Sequence, residues 1–488
     1  MNYPALGARG FLLPTRLKNS YEGAGQGRRA SNWKVSGAGP AATSTNGLQT
    51  LRNRSRHAIR NDPYAFTVID KQVSNHIGTG IVPKPTHKDE TIRSTLRELW
   101  GDFTEESDAD GQLDFYGQQA LAGHTFFGGG EVFARLRVRP LSDGLAVPLQ
   151  VQLLEPEFVP HTKNGRAPGT NNPIRQGIEF EGTRRVAYWM YKRHPGEGST
   201  DPSYNELVRV PADEVLHLHE PTRAGQLRGV PQLAPVLLRL KTLDEFDDAV
   251  AFRQEVANLF AGFIRKTPSQ SPFPTEGGSG AADAGYSPLV GLEPGTMQEL
   301  GPDEDVIFSD PPDAGNNYAE FMRQQLSAVA VGVGLPFELL SGDLRGVSDR
   351  IIRIILNEFR RRVEQRQHGI FVHQFCRPVY QRFVTLAWLS GAIHLPDFAS
   401  NPRPYLRARW VPQGWAYTHP VQDAQADRML VRSGFTSRSA VQMRRGEDPD
   451  TIDRENMEDN ERADRMGLRF DSDPRQRDDQ GEVIEDKT

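Results

Sequence analysis

The stretch that decides the fold is Pro235–Ile264, PVLLRLKTLDEFDDAVAFRQEVANLFAGFI. Its apolar residues recur at the spacing of one helical face, and a proline suits the first turn of a helix. The other face carries four acids: Asp244, Glu245, Asp247 and Asp248. The pattern predicts one amphipathic helix of about 45 Å, longer than most helices in compact domains.

Composition places this helix in a chain with more than one packed region. The 488 residues are too many for one ordinary core, and 46 Gly and 35 Pro indicate much turn and loop. No apolar run approaches the ~20 residues of a membrane span, so no membrane partner is expected. No apolar segment follows the basic N-terminal residues, so synthesis in the cytoplasm is expected. The single cysteine, Cys376, excludes an internal disulfide and a multi-cysteine zinc cluster.

The net charge of -5 is small, but basic and acidic residues are concentrated in separate segments of the chain. Residues 1–60 hold ten Lys or Arg and one acid, which makes a basic arm. Between Lys266 and Arg323 stand ten acids and no basic residue, which makes an acidic insert. Taken alone, either segment is equally consistent with a solvated stretch that charge keeps soluble.

The N-terminal half has mixed helix and strand signals. Residues 1–50 resemble an extended arm with little core of its own. Asp62-Pro63 can open a helix that ends at Gly78 and Gly80. Alternating apolar residues predict short strands at Glu131–Val138, Leu149–Leu153, Ile178–Phe180, Val186–Tyr191 and Val215–His219. We expect one antiparallel sheet with helices on one face.

Further helices follow the acidic insert. Asn317 and Glu320 have the spacing of a capping box, and this helix should end near Gly332. Turn residues fill 341–348, and another long helix runs from Asp349 until Pro378 breaks or kinks it. Shorter helices are expected at Val421–Ser433, Ser437–Arg445 and Asp453–Met466. The polar residues after 470 predict a disordered tail.

Motifs for nucleotide chemistry are missing from the sequence. The dipeptide Gly-Lys occurs nowhere, which excludes a P-loop. Gly128–Gly130 precedes a predicted strand rather than a helix, so a tight turn is favoured over phosphate binding.

Two other groupings have only a formal likeness to reactive sites. His217, His219 and Glu220 form a metal half-site without a third ligand fixed by spacing, and a half-buried strand is favoured. Cys376 follows His373 by three residues, but a core cysteine is favoured over a nucleophile. We therefore expect no enzymatic activity, no cofactor and no metal.

Several blocks together resemble the lambda family of phage portal proteins. They are LRNRSRHAIRNDPYAFTVIDKQVSNHIGTGIVP at 51–83, EVLHLHEPTRAGQLRGVPQLAPVLLRL at 214–240, GVGLPFELLSGD at 332–343, LNEFRRRV at 356–363, and the run 420–448 with ADRML and SGFTSRSAVQMRRGED. One departure is Gly346-Val347-Ser348-Asp349-Arg350, where the family often has an aromatic residue and paired serines. The departure puts the contacts of this loop in doubt.

The resemblance implies an α+β portal fold with a mixed α/β wing, a stem of long helices, a loop-rich clip insert and a helical C-terminal crown region. In this sequence the parts fall at 1–60 (basic N-terminal arm), 61–228 (wing), 229–265 (stem helix), 266–315 (clip), 316–334 (second stem helix), 335–348 (tunnel loop), 349–412 (long kinked helix and return to the wing), 413–470 (C-terminal helices, crown) and 471–488 (disordered tail).

The resemblance also implies a structural ring, usually of twelve subunits, at one vertex of the capsid, through which double-stranded DNA is packaged and ejected. A conduit must hold DNA loosely, because each neutralised phosphate releases counterions and strengthens binding. We therefore expect acids to face the channel, with sparse cationic exceptions. The expected channel-facing residues are Asp244, Glu245, Asp247, Asp248, Arg345, Asp349 and Arg350. The alternative interpretation is that these acids form the solvated or subunit-contacting face of an amphipathic helix.

The implied partners are further copies of the chain, the DNA, the terminase large subunit, a head-tail adaptor and the major capsid or scaffold protein. Docking of the motor and the adaptor is assigned to Asp303, Glu304 and Asp305 of the clip. Contacts between subunits are assigned to Arg360, Arg361 and Arg362, which point in three directions around a helix. The expected location is the virion, after assembly in the host cytoplasm. The competing interpretation is a sequence-tolerant nucleic-acid-binding protein that uses the basic arm as a monomer or small oligomer.

Overall fold

The first part of the fold alternates helices and strands. The computed structural model describes residues 35–45, 47–197, 206–259, 263–266, 304–307, 318–417, 419–468 and 470. Up to the long helix, the elements are α1 (Pro40–Thr45), α2 (Leu48–Asn61), α3 (Pro63–His76), β1 (Val82–Pro85), α4 (Glu90–Glu106), α5 (Phe115–Gly129), β2 (Glu131–Val138), β3 (Leu149–Leu154), β4 (Gly165–Arg166), β5 (Pro173–Arg175), β6 (Ile178–Glu181), β7 (Arg184–Tyr191), β8 (Leu207–Pro211) and β9 (Val215–His219).

Helix α3 forms where the sequence predicts it. The Asp62 carboxylate accepts hydrogen bonds from the backbone N–H groups of Tyr64 (2.8 Å) and Ala65 (3.0 Å), and Pro63 occupies the first turn. These contacts satisfy N–H groups that a helix start leaves without a partner. The helix ends at His76, and Gly78 follows with a φ of 57°. The predicted start and stop are confirmed.

The predicted basic arm is wrong for residues 48–60, which form part of a packed helix. Residues 48–61 form α2, which packs against α3 and α5 and buries Leu48, Arg52 and Ser55. The arginine-rich composition suggested a solvated segment, but two arginines of this helix have buried or half-buried carboxylate partners. Residues 1–34 lie outside the described part of the chain.

The strands form two main antiparallel sheets rather than the single sheet we expected. One has the order β3-β2-β9 and the other the order β4-β5-β6-β7-β8. Strand β2 has apolar residues on both faces: Val132 and Ala134 belong to the main core, while Phe133 packs into a second core with Tyr188 and Val210. A strand buried on both faces needs a covering layer on each side. The second sheet provides that layer.

The second part of the fold is mostly helical. It comprises α6 (Leu237–Leu259), β10 (Phe263–Lys266), β11 (Glu304–Ile307), α7 (Tyr318–Val333), α8 (Phe337–Ser341), α9 (Asp349–Arg366), a π-helical segment (Gln367–Cys376), α10 (Arg377–Ser390), β12 (Ala408–Val411), α11 (Pro420–Arg432), α12 (Arg438–Arg444) and α13 (Pro449–Met466). The long helix predicted to reach Ile264 ends five residues earlier, and residues 263–266 pair with β11. None of the helices in these described ranges combines the length and apolar content needed to cross a membrane.

Pro378 does not end the third long helix, so of the predicted break or kink the break is wrong. Residues 367–376 widen into π-helix, and the Arg377 N–H bonds to the Val372 carbonyl five residues back. Pro378 then lies in the first turn of α10, where a missing N–H group is tolerated. The helical path therefore continues to Ser390.

This continuous helical segment supplies the centre of the main core. Phe371, Phe375, Tyr380 and Phe383 are fully buried, and the ring centroids of Phe375 and Phe115 lie 5.5 Å apart. Aromatic residues bury more area than other side chains, so this cluster contributes strongly to the stability of the main core.

The C-terminal helices are joined to this body by polar contacts. Asp448, which precedes α13, pairs with Lys84 of β1 (3.0 Å) and Arg97 of α4 (3.1 Å). The Ser437 side chain accepts a hydrogen bond from the Ala440 N–H at 3.1 Å, which confirms the predicted cap of α12. No residue of α11, α12 or α13 is buried in the single chain. These helices therefore present nearly all of their surface to solvent or to partners.

Candidate channel and assembly surfaces

Helices α6 and α7 pack side by side through a small apolar contact. Leu243, Met322 and Leu326 are buried together, and the rings of Phe246 and Phe321 lie 4.7 Å apart. The long acidic insert leaves from the end of α6 and returns at the start of α7. In the described part of the chain, α6 and α7 form a two-helix rod.

The four predicted channel acids all lie on exposed positions of α6. Two of them have partners within the chain. Glu245 pairs with Lys241 at 3.3 Å, and Asp247 accepts a hydrogen bond from the Tyr318 hydroxyl. That hydrogen bond raises the pKa of Tyr318 to about 12. The acids therefore give the rod a negatively charged surface, part of which also holds the two helices together.

The predicted tunnel loop contains a helical turn and an internal ion pair. Helix α8 ends at Gly342, which has a φ of 69° that favours glycine. The exposed Arg345 guanidinium donates to both carboxylate oxygens of Asp343, at 2.8 and 2.9 Å. These hydrogen bonds lower the pKa of Asp343 well below its ordinary value. The positive charge of Arg345 is therefore compensated by Asp343, a partner that the sequence analysis did not identify.

The start of α9 is tied to the C-terminal region. The Ser348 hydroxyl accepts a hydrogen bond from the Ile351 N–H at 3.4 Å and caps the helix. Asp349 lies 2.7 Å from His419 Nε2 and 3.7 Å from Arg353 Nε. The predicted channel residue Asp349 thus contacts the chain's own C-terminal segment, whereas its neighbour Arg350 is exposed.

The three consecutive arginines have different surroundings, as three successive directions around a helix require. The Arg360 guanidinium lies 4.8 Å above the Trp415 ring of the same chain, and its contact to another subunit stays a prediction. Arg361 pairs with Glu358 at 3.1 Å and is exposed. Arg362 is also exposed.

A buried ionic cluster joins β2 to the segment between β9 and α6. Glu131 begins β2 and is fully buried, and its carboxylate lies 2.7 Å from Arg228 Nε and also accepts a hydrogen bond from Arg52. The second oxygen accepts hydrogen bonds from the Gly229 N–H (2.9 Å) and His217 Nε2 (2.8 Å). Burial alone would raise the pKa of Glu131, but Arg228 and Arg52 lower it well below its ordinary value.

Arg228 extends this cluster into the second sheet. Its guanidinium donates to the carbonyl oxygens of Val159 (2.9 Å), Gln176 (3.0 Å) and Pro156 (3.1 Å). Because Arg228 lies between β9 and α6, these bonds anchor the segment that leads into α6. Sequence analysis missed the cluster, although Glu131 shares its strand face with Phe133, and a charge in phase with an apolar residue was the available signal.

The metal half-site is not formed. Burial lowers the pKa of His217 to about 3, so its neutral ring donates to Glu131, while Glu220 pairs with Arg366 at 2.8 Å. In the described ranges one other set, Glu155, Glu157 and His194, comes within reach of a single ion. Within that set the Glu157 carboxylate already accepts two hydrogen bonds from Arg56, at 3.0 and 2.9 Å.

The cysteine is a core residue. Cys376 is fully buried, burial raises its pKa, and His373 three residues earlier is exposed. Because the segment is π-helical, a spacing of three does not place the two side chains together. The interpretation as a core cysteine is confirmed.

Most of the predicted clip, residues 266–315, lies outside the described part of the chain, and so does Asp303. Strands β10 and β11 pair antiparallel, with Lys266 opposite Glu304 and Arg265 opposite Asp305. The backbone register therefore sets the two described docking acids opposite basic residues.

Comparisons with known proteins bear on most of the chain. Residues 26–367 match the family described as "Phage portal protein, lambda family". A "Probable portal protein" of Halomonas phage phiHAP-1 is 26% identical over 441 residues, covering 86% of this chain and 82% of that protein. "Portal protein B" of Escherichia phage lambda is 21% identical, covering 87% and 86%.

The portal protein of Escherichia phage N15 is 24% identical over about half of either chain, 48% of each. A chain in the neck of a native GTA particle computed with C12 symmetry aligns with 87% of this chain and 99% of its own length, at 14% identity and a TM-score of 0.45. Since the family match spans well over half of the sequence, this chain belongs to the lambda family of phage portal proteins.

Proposed function

We propose that this chain, a structural portal protein of the phage capsid vertex, closes with copies of itself into a ring of twelve subunits through which viral double-stranded DNA is packaged and ejected. The family match over residues 26–367 carries the proposal. The surface of the single subunit supports the ring: Leu238 and Phe252 on α6 and Val331 on α7 are 75%, 66% and 82% exposed. Large apolar side chains that a single subunit leaves exposed are removed from water when subunits associate.

The ring is tested by mass. The wild-type chain of 54.5 kDa should give a particle of about twelve times that mass by native mass spectrometry. Leu238→Asp and Val331→Asp should shift the population to single subunits, because each places a charge in the proposed contact. Leu141→Asp, on an exposed residue of a short turn between β2 and β3, is the matched control and should leave the ring intact. Equal assembly of all three variants would remove the stem from the interface.

The acids of α6 are proposed to line part of the channel and to keep DNA mobile. Phosphates are repelled by carboxylates, whereas a lumen lined with Lys and Arg would release counterions and hold the duplex. On the adjoining loop, Arg345 is already paired with Asp343, which leaves Arg350 as the exposed cation at the start of α9. Rings with Asp244→Asn, Glu245→Gln and Asp248→Asn should bind duplex DNA more tightly at low salt. Unchanged affinity would place these acids away from the lumen.

The clip is proposed to dock the terminase large subunit and, later, a head-tail adaptor. The acids assigned to this role are Asp303, Glu304 and Asp305. The backbone register of β10 and β11 sets Glu304 opposite Lys266 and Asp305 opposite Arg265. Neutralising all three should weaken binding of the motor, measured by pull-down with purified terminase. Neutralising Asp453 and Asp459 of α13 is a matched control outside the clip.

The remaining partners follow from the place of a portal in the virion. The wing is proposed to contact the major capsid or scaffold protein during assembly in the host cytoplasm. Arg361 and Arg362 remain the proposed cationic contacts between subunits, since both are exposed on α9. The family is structural, so a non-enzymatic role is proposed for this chain.

A further inference from the structure

A cleft of about 320 Å³ lies between α9, the segment 415–417 and the helices α11 and α12. Four arginines line it: Arg353, Arg360, Arg444 and Arg445. Two carboxylates, Asp423 and Asp427, also line it, which leaves a formal net charge of +2 on these side chains. The family match ends at residue 367, so the α11 and α12 side of the cleft lies beyond it.

The carboxylates of the cleft are already engaged. Asp423 accepts a hydrogen bond from the His419 N–H at 2.9 Å, and Asp427 accepts one from the Tyr417 hydroxyl at 2.6 Å. Arg444 comes no closer than 3.5 Å to Asp427. The two acids therefore do not satisfy the arginines by hydrogen bonds, and the nearest acid to Arg353 is Asp349, 3.7 Å from its Nε at the start of α9.

The guanidinium groups have unused donors. Arg360 and Arg445 lie over the rings of Trp415 and Tyr417, at 4.8 and 5.3 Å, contacts that orient a guanidinium plane without satisfying its N–H groups. Nε and Nη2 of Arg353 are buried, and neither has a hydrogen-bond partner in the described part of the chain. A donor without an acceptor is costly, so this wall of the cleft is incompletely satisfied within the described part of the chain.

We propose that this cleft binds the phosphodiester backbone of DNA at a fixed place beside the channel. The proposal rests on the proposed function, because the channel brings DNA to the site. Arginine presents paired donors that match two oxygens of one phosphate. Arg353 and Arg360 are two helical turns apart, about 10.5 Å along α9, which corresponds to roughly three nucleotides of one strand.

The position of the cleft favours DNA over other anions. Its arginine helix α9 begins directly after the loop proposed to reach the duplex, and Asp349 links that start to His419 beside the cleft. A few cationic sites per subunit, placed outside the acidic stem surface, would restrain the packaged DNA without coating the whole passage with positive charge. The chain's own acidic C-terminal segment, residues 471–488, is the competing occupant that the test must separate.

The test measures binding of a fluorescein-labelled duplex to the assembled wild-type ring and its variants by anisotropy over a salt series. Arg444→Gln/Arg445→Gln and, on the opposite wall, Arg353→Gln/Arg360→Gln should each weaken binding roughly tenfold at low salt, and the slope of log K against log salt should fall by about 0.9 per lost phosphate contact. Arg403→Gln/Arg409→Gln removes the same charge from exposed positions outside the cleft and should bind like wild type.

The outcomes separate the alternatives. Wild-type affinity in both cleft variants would overturn the proposal. Cleft-dependent binding of inorganic phosphate without any effect on the duplex would overturn it as well. A synthetic peptide of residues 471–488 that binds through the same arginines, with DNA unaffected, would assign the cleft to the acidic segment instead. Ring mass is recorded for every variant. Loss of rings counts against the proposed function, whereas loss of DNA binding by intact rings supports DNA binding at the cleft.

Discussion

Replacing Glu131 by glutamine tests whether the buried ionic cluster stabilises the fold. The carboxylate lies between Arg52, Arg228 and His217, and the side chains of Glu131 and both arginines are fully buried. Glu131→Gln keeps the size of the side chain but leaves two guanidinium charges without a counter-charge. Removing one partner of a buried pair costs about 3–5 kcal/mol, because the remaining charge cannot reach water. We expect a loss in that range in the free energy of unfolding.

The assay is urea unfolding of the purified subunit, followed by far-ultraviolet circular dichroism at pH 7. The control is Glu206→Gln, which removes one partner of the exposed pair between Lys192 and Glu206 and should change stability by less than about 1 kcal/mol. A loss below about 1 kcal/mol for Glu131→Gln would refute the reasoning. It would mean that water reaches the cluster or that the arginines find other partners.

Other expected outcomes follow from named contacts. Because burial holds the pKa of His217 at about 3, the unfolded chain binds a proton between pH 6.5 and 3 that the folded chain does not, so stability should fall as pH is lowered through that window. His217→Gln should flatten the pH dependence of urea unfolding. Gly130→Ala should cost about 2–3 kcal/mol, because φ is 89° and the new Cβ would lie 2.4 Å from the carbonyl carbon of Val230; wild-type stability would contradict this. Asp448→Asn should weaken the attachment of α13 to Lys84 by about 1 kcal/mol and speed hydrogen exchange in that helix. Unchanged exchange would count against a stabilising ion pair between Asp448 and Lys84.

Local signals predicted the elements well. Asp62-Pro63 marked the start of α3, alternating residues marked β2 and β9, and Ser437 marked the cap of α12, each because hydrogen bonds and periodicity within a few residues decide the outcome. Glu320 falls in the first turn of α7, as the capping pattern required, while Asn317 lies outside the described residues.

The misses concern interactions between distant parts of the chain. Arg52 and Arg228 pair with Glu131 across 79 and 97 residues, a relation that no local pattern encodes. The two-sheet arrangement depends on both faces of β2 being covered, and the path through Pro378 depends on a π-helical register set by core packing. In the candidate site, sequence patterns placed exposed acids on α6 but could not reveal that Arg345 is neutralised by Asp343, or that Arg360 lies on Trp415.

The most direct test of the central claim is electron microscopy of the purified wild-type chain, with class averages examined along the symmetry axis. We expect rings with an open centre wide enough for a duplex. In these rings α6 and α7 pack against the neighbouring subunit, and the acids of α6 border the opening. Single particles without symmetry, or assemblies with a closed centre, would contradict it.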